Sequence, residues 1–228
     1  MKNLKLRDKR REREKEMSQK FDAFNFIVLC KKLAKKDKDL RSIINQYGNP
    51  PMWTRPATFQ TLILTILEQQ VSLASAYAAF KKLKEKTGFV TPAKILLLTD
   101  AELKACYFSR QKIIYARELA MAVKGRRLIL KHLTDKPEEE IRHELKKIKG
   151  IGDWTVDVYL MHALQRTDLF PLGDIALVNS LKEVKQLPPD ITKEEMLKIA
   201  EPWRPYRTIA AMILWHAYIR KRGIGLRD

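Results

Sequence analysis

The feature that most restricts the fold of this chain is a four-residue reversal between two helical patterns. The segments IRHELKKI and DWTVDVYLMHALQ each repeat apolar residues at helical spacing. Only Lys149, Gly150, Ile151 and Gly152 separate them, which leaves room for nothing but a tight turn. The sequence therefore predicts two helices that are joined as a hairpin.

The chain is strongly basic. Its 228 residues include 45 Lys and Arg against 27 Asp and Glu, a formal net charge of +18. Residues 1–20 hold nine basic and four acidic side chains, so most of the excess lies in the rest of the chain. This balance favours a polyanionic partner, with nucleic acid ahead of an anionic membrane surface.

The expected location follows from the apolar runs and the start of the chain. No apolar run approaches the length of about 18 residues that a membrane span needs. The opening segment LRDKRREREKEM is polar throughout and does not fit a secretory signal. We therefore expect an intracellular protein, cytoplasmic or nucleoid-associated, that is not bound to a membrane.

Helical patterns fill most of the chain. From Phe21 onward apolar residues recur every three to four positions, until Gly48, Pro50 and Pro51 break the pattern. TDAE at 99–102 and TKEE at 192–195 fit the capping box that starts a helix. Alternating strand patterns are nearly absent, so the predicted fold class is all-α. Further helices are predicted at 57–70, 72–86, 92–98, 100–106, 110–124 and 137–149.

The predicted hairpin has the composition of a phosphate clamp. Gly150 and Gly152 would let backbone amides face outward without a Cβ in the way, and the second helix would offer its positive N-terminus. Ile151 would point back and lock the two helices together, while Lys146, Lys147 and Lys149 would lie near the phosphate. The alternative is an ordinary helix pair that ends in a glycine cap.

An acidic residue follows the second helix of this hairpin. The turn Phe170-Pro171-Leu172-Gly173-Asp174 leads into the apolar run IALVNSL, which makes Asp174 a predicted N-cap. Capping alone would explain the residue, but a cap also holds a carboxylate ionised and fixed. Such a group suits cleavage of an N-glycosidic bond, because it can stabilise positive charge on the sugar and orient water.

Four blocks between about Met52 and Tyr218 share their order with a known family. They are FQTLILTILEQQVSLASA, CYFSRQKIIYARELA, LKKIKGIGDWTVDVYLM with PLGDIAL, and AEPWRPYRTIAAMILWHAY. The third is the most specific, because the hairpin and the acid occur in order with twenty residues from Trp154 to Asp174. Together they resemble the helix-hairpin-helix DNA glycosylase superfamily, in its alkyladenine branch.

The resemblance implies a two-lobed helical fold with the active site in a cleft between the lobes. The middle lobe would span 61–169 and end with the hairpin. The other lobe would join 19–60 to 170–228, after a charged extension at 1–18. Asp174 falls on the family's catalytic aspartate. The implied partner is double-stranded DNA with a flipped, damaged nucleotide, bound by a monomer.

Further site residues are implied by the same resemblance. Members that form a Schiff base and nick the strand carry a lysine where this chain has Trp154, and a tryptophan cannot be that nucleophile. Trp154, Trp203 and Tyr206 are predicted to line the base pocket, with core packing as the alternative. Gln69 and Gln70 lie in the loop that enters the DNA in this family, with Gln70 as the predicted wedge and polar helix ends exposed to water as the alternative.

No cofactor is expected. The iron-sulfur members need four cysteines after the catalytic region, whereas the two cysteines here, Cys30 and Cys106, lie before it and are predicted to be buried thiols. The four histidines show no metal-ligand spacing. The resemblance allows a monovalent cation at the hairpin, and no other metal is predicted.

The sequence therefore predicts a monofunctional DNA glycosylase that hydrolyses alkylated purines such as 3-methyladenine in base excision repair. Two alternatives remain open at this stage. One is a non-catalytic helix-hairpin-helix protein that only binds DNA. The other is a glycosylase that acts on oxidised or deaminated bases.

Overall fold

The computed structural model describes residues 20–225, and the predicted charged extension 1–18 lies outside them. The described residues are helical, with one isolated antiparallel bridge, Lys20 with Arg166, and no strand among them. The all-α prediction is confirmed. In this range no helix combines the length and the apolar character that crossing a membrane requires.

The described helices follow the predicted order closely. Thr99 and Thr192 each form the predicted capping box with a glutamate three residues later. The helices are α1 (Phe26–Lys36), α2 (Lys38–Tyr47), α3 (Phe59–Glu68), α4 (Leu73–Thr87), α5 (Pro92–Leu97), α6 (Asp100–Ala105), α7 (Arg110–Lys124), α8 (Leu130–Leu133), α9 (Glu138–Lys146), α10 (Asp153–His162), α11 (Ile175–Lys185), α12 (Lys193–Ala200), a 3₁₀ turn (Glu201–Trp203) and α13 (Arg207–Lys221).

The apolar pattern that begins at Phe21 forms two helices and not one. Phe21 is buried but precedes the helix, and Phe24 is 93% exposed. The break between α1 and α2 falls at Asp37, whose carboxylate accepts hydrogen bonds from the backbone N–H groups of Asp39 and Leu40. Asp37 therefore begins α2 as its N-cap, and the non-helical backbone that a cap requires ends α1 at the same residue.

The chain divides into two compact units, at 54/55 and at 164/165. The family resemblance implies these divisions at 60/61 and 169/170. Arg55 explains the first difference, since its guanidinium forms two hydrogen bonds with the Glu68 carboxylate, at 2.8 and 2.6 Å. Its backbone N–H also donates to the carbonyl of His162 at 2.7 Å, so Arg55 belongs with α3 and α10.

The unit Arg55–Leu164 is built around α3. This helix is apolar around most of its circumference and buries nearly every residue, as expected of a central helix. It packs against α4, α7 and α10. Because α3 ends at Glu68 and packs on α10, the loop that follows it lies next to the hairpin.

The other unit, which joins the described residues of 18–54 to those of 165–228, is built around α13. Ten consecutive residues of that helix, Thr208–Ala217, are buried. The helix packs against α1, α2 and α11. This packing brings the carboxyl-terminal half of α13 against α11, the helix that Asp174 begins.

Candidate nucleic-acid interface and catalytic carboxylate

The predicted hairpin is present between α9 and α10. The backbone N–H of Ile151 donates to the carbonyl of Ile148 at 3.0 Å and closes the turn. The side chain of Ile151 is only 4% exposed, which confirms that it points back between the helices. Its contribution to any bound phosphate is therefore limited to backbone groups.

Gly150 is required by the geometry of this turn. Its φ angle is +92°, a conformation that L-residues with side chains rarely adopt. A Cβ atom at this position would lie 2.0 Å from Cγ of Tyr115, a residue of α7. The ring of Tyr115 therefore occupies the space that any larger residue would need.

Gly152 has a different function from Gly150. Its φ angle of −103° is open to any residue, and a Cβ added there would meet nothing within 4 Å. It is exposed and precedes α10, whose first turn receives no side-chain cap from it. Lys147 and Lys149 are exposed on the same turn. This arrangement leaves a helix N-terminus open to an external anion, with cations beside it.

Ion pairs fix the two hairpin helices against each other. The guanidinium of Arg142 on α9 donates to Glu138 at 2.8 Å and to Asp157 on α10 at 2.5 Å. Lys146 donates to Asp153 at 2.6 Å, on the exposed side of the turn. The backbone of the turn is thus held from both helices before any ligand binds.

The loop after α3 is attached to the same hairpin. The side-chain amide of Gln69 donates to the carbonyl of Gly150 at 2.8 Å and to Oγ1 of Thr155 at 2.9 Å. Gln70 is exposed and has a positive φ of 57°, which is uncommon for a residue with a side chain. The structure therefore gives Gln69 a bracing position and presents Gln70 outward.

Asp174 caps α11, as predicted. Its Oδ1 accepts a hydrogen bond from the backbone N–H of Leu177 at 2.8 Å. The same oxygen accepts a second hydrogen bond from Nε1 of Trp215 at 3.0 Å. Two donors therefore fix a partly exposed carboxylate on a rigid helix end.

The contact from Trp215 was missed by the sequence analysis, which assigned that tryptophan a structural role. The indole is 9% exposed, and its N–H needs an acceptor once it is buried. That requirement was the available signal, but it does not identify the acceptor, which lies 41 residues away along the chain. Trp215 is a positioning residue for the Asp174 carboxylate.

The prediction that Trp203 stands in a base pocket is corrected by the structure. Trp203 is 1% exposed, with its ring 5.7 Å from that of Phe170. Its Nε1 donates to Oδ2 of Asp37 at 2.8 Å, and Lys185 donates to the same oxygen at 2.7 Å. Burial would raise the pKa of Asp37, but the hydrogen bonds from Lys185 and Trp203 outweigh it and lower that pKa. Trp203 can lie in the core because its indole N–H has an acceptor there, the carboxylate of Asp37.

The other two predicted pocket residues are less buried than Trp203. Trp154 is half-buried in the first turn of α10. Tyr206 is half-buried at the start of α13, with Nζ of Lys32 5.6 Å from its ring centroid. The role of both residues in a base pocket stays a prediction.

The described residues contain no cluster of three His, Cys, Asp or Glu side chains that could hold a metal ion. Cys30 and Cys106 are free and buried, as predicted. Burial raises the pKa of the Cys30 thiol to about 12. The Cys30 thiol is therefore poorly suited to act as a nucleophile.

Comparison with known proteins identifies the family. The model of the HhH-GPD superfamily of base excision DNA repair proteins matches residues 63–205, which include both the hairpin and Asp174. The chain belongs to this superfamily. The HhH-GPD match also includes the part of α3 from residue 63 onward, the loop with Gln69 and Gln70, and Trp203, but it ends before Trp215.

Individual HhH-GPD relatives match over most of the chain. The YfjP protein of Bacillus subtilis is 31% identical over 186 residues, which are 78% of this chain and 65% of that protein. The alkylbase DNA glycosidase-like protein mag2 of Schizosaccharomyces pombe is 31% identical over 81% of this chain and 90% of its own length. One solved structure is that of the 3-methyladenine DNA glycosylase Mag1 of S. pombe in complex with abasic DNA, and its sequence is 31% identical to this chain. It superimposes with a TM-score of 0.73 over 78% of this chain and 90% of that chain.

Proposed function

We propose that this chain is a monofunctional DNA glycosylase that removes alkylated purines such as 3-methyladenine from double-stranded DNA in base excision repair. The observation that carries the proposal is the Asp174 carboxylate, which Leu177 and Trp215 hold in place. A clamp for DNA alone would not require that arrangement. The relatives named as alkylbase and 3-methyladenine glycosylases support the same substrate class.

Asp174 would act on the sugar of the damaged nucleotide. As the bond between C1′ and the base nitrogen breaks, its electron pair leaves with the base and positive charge develops on the sugar. A fixed carboxylate stabilises that charge and can orient the incoming water. The oxygen of the water then bonds to C1′, and its proton passes to the carboxylate or to solvent. An alkylated purine carries positive charge and leaves as a neutral base, so a strong general acid is not needed.

The absence of strand cleavage is part of the proposal. A lyase reaction through a Schiff base needs an amine on the enzyme, and the resemblance places Trp154 where that lysine would stand. The indole of Trp154 has no nucleophilic amine. It would instead provide a surface on which an extruded base can stack.

The hairpin and the Gln70 loop would hold the DNA. The first turn of α10 offers a phosphate its backbone N–H groups and the positive end of the helix. Gln70 would enter the space that the flipped nucleotide leaves. We expect the enzyme to act on genomic DNA as a monomer, in the cytoplasm or at the nucleoid.

A monovalent cation at the hairpin is compatible with the residues present. The carbonyls of Ile148 and Gly150 each accept one hydrogen bond, from Ile151 and Gln69. A carbonyl oxygen has two lone pairs, so each can still face a cation. Such an ion would add positive charge beside a bound phosphate. The chemistry at Asp174 would not depend on it.

Removing a positive charge from the hairpin is expected to weaken binding to DNA by the same amount whatever the DNA sequence. Lys147→Ala and Lys149→Ala should each reduce the slope of log K against log salt concentration by roughly 1, because each removes one phosphate contact. Fluorescence anisotropy with an undamaged duplex at several salt concentrations measures this slope. Lys193→Ala, which removes an exposed charge on α12, is the control and should leave the slope unchanged.

The hydrogen bond from Trp215 to Asp174 predicts a specific loss of rate. Trp215→Phe keeps a large ring but removes the N–H donor, and a hydrogen bond to a charged group contributes about 1.5–3 kcal/mol. We expect single-turnover base release to slow roughly ten-fold or more while the Kd for DNA is unchanged.

Trp203→Phe is the matched control, because it also removes an indole N–H bound to an aspartate. It should lower thermal stability with little effect on the rate per folded enzyme. Equal loss of rate in both variants would contradict the positioning role of Trp215.

The substrate class is tested directly by incubating the protein with methylated duplex DNA and separating the free bases by chromatography. We expect release of 3-methyladenine. DNA that is bound but yields no free base would overturn the proposed activity and favour a protein that only binds DNA.

A further inference from the structure

A buried ion pair stands directly before the loop that contains Gln70. Glu68, the last residue of α3, is 6% exposed, and its carboxylate accepts two hydrogen bonds from the guanidinium of Arg55, at 2.8 and 2.6 Å. The Arg55 side chain is itself only 21% exposed. Burial alone would lower the pKa of Arg55, but the hydrogen bonds and the charge of Glu68 outweigh it and raise that pKa. The guanidinium is therefore held charged by its partner.

This ion pair defines geometry more than it adds stability. Removing two charges from water has a cost that their attraction only partly offsets, and apolar residues of similar volume are often as stable or more stable. The neighbours of Glu68 in α3 would accept such residues, since Ile66 and Leu67 are 0% and 1% exposed. Two parallel hydrogen bonds between planar groups, however, fix the direction of the contact as well as its distance.

The backbone of Gln70 depends on its surroundings. Its φ of 57° lies in the left-handed region, and a residue with a side chain stays there only where neighbouring groups hold it. Two such groups act on the end of α3. Nζ of Lys112 donates to the carbonyl of Leu67 at 2.6 Å, and Arg55 binds the side chain of Glu68. The chain therefore enters the Gln70 turn from a fixed position.

Arg55 relates this loop to the second helix of the hairpin. Its backbone N–H donates at 2.7 Å to the carbonyl of His162, the last residue of α10. Its guanidinium binds Glu68 before the loop and also interacts with Tyr77 of α4, after the loop. One residue thus joins both sides of the loop to the helix whose N-terminus is open to a phosphate.

We propose that Arg55, through its ion pair with Glu68, positions Gln70 so that it enters the duplex at a fixed place relative to the phosphate bound by the hairpin. This inference rests on the proposed function, since it assumes that Gln70 enters DNA. Phosphate contacts fix the register of a protein on the duplex, and a wedge must enter in that same register. Arg55 and Glu68 are positioning residues and take no part in the chemistry.

The test compares the Kd for an undamaged duplex with the Kd for the same duplex carrying a tetrahydrofuran abasic analogue, at one salt concentration. No base has to leave the helix at the analogue, so wild type should prefer the abasic duplex. Arg55→Met combined with Glu68→Leu replaces the ion pair by apolar residues and leaves the net charge unchanged. In this double variant the preference should fall roughly five- to ten-fold. The Kd for the undamaged duplex should not change, because the hairpin is intact.

The double variant is more informative than either single change, because one partner alone would leave a buried charge unpaired. Its thermal midpoint should be equal to that of wild type or higher. As a matched control, Arg117→Met with Asp100→Asn removes another ion pair of the same unit, 2.8 Å long, and should leave the preference unchanged.

A combination with Gln70→Ala distinguishes positioning from a general effect on binding. Gln70→Ala should lower the preference for the abasic duplex by itself. Adding Arg55→Met and Glu68→Leu should then lower it no further, because residues that act through one another are not additive.

Three results would overturn the positioning proposal. These are an unchanged preference in the double variant, additive losses in combination with Gln70→Ala, and a clearly lower thermal midpoint, which would assign the ion pair to fold stability. Wild-type protein without any preference for the abasic duplex would exclude the entry of Gln70, and this inference with it. A preference that depends on Arg55, in a protein that releases no free base from methylated DNA, would instead overturn the proposed activity alone.

Discussion

Asp174→Asn is expected to reduce the rate of base release by about a hundred- to a thousand-fold, the range for loss of one preorganised electrostatic group. The amide keeps an oxygen that can accept from Leu177 and Trp215, and asparagine caps helices as well as aspartate does. The fold and the DNA affinity should therefore remain. Only the negative charge that faces the sugar is lost.

The measurement is single-turnover release of 3-methyladenine, with Kd and thermal midpoint determined on the same preparation. Asp190→Asn, which neutralises an exposed aspartate of the same unit, should release the base at the wild-type rate. An Asp174→Asn protein that retained the wild-type rate would show that Asp174 is only a helix cap.

Gly150→Ala is expected to lower the free energy of unfolding by about 2–4 kcal/mol, from backbone strain and overpacking combined. The φ of +92° disfavours alanine, and its Cβ would meet the ring of Tyr115 at 2.0 Å. For a protein of this size the thermal midpoint should fall by roughly 5–15 °C. Tyr115→Ala in the same chain should recover part of the loss, since it removes the steric overlap but not the strain.

Gly152→Ala is the matched variant, with the opposite expectation. Its backbone is unstrained and a Cβ meets no protein atom within 4 Å, so the thermal midpoint should not change. If a phosphate approaches this backbone, the methyl group should raise the Kd for DNA several-fold. Unchanged affinity in a stable Gly152→Ala protein would remove the phosphate contact from that turn.

The features that the sequence predicted correctly are local. The turn between α9 and α10 follows from two glycines within three residues, and the cap at Asp174 follows from a turn directly before an apolar helix. The buried Ile151 follows from its place between the glycines. Each of these depends on contacts within a few residues, where backbone geometry and capping rules decide the structure.

The features that it did not predict depend on distant partners. Trp203 is separated by 166 residues from Asp37, the acceptor that holds it in the core, and Gln69 by 81 residues from Gly150. An indole between prolines and arginines can lie in a pocket or a core, and only its acceptor distinguishes the two. Residue type therefore identified the chemistry near the site, whereas packing decided which tryptophan contacts Asp174.

The central claim is monofunctional hydrolysis of alkylated purines, and one panel of duplexes tests it most directly. Each duplex carries a single alkylated, oxidised or deaminated base, and products are scored for free base and for strand cleavage with and without alkali. We predict release of 3-methyladenine with cleavage only after alkali. Cleavage without alkali, or release confined to oxidised or deaminated bases, would contradict the account.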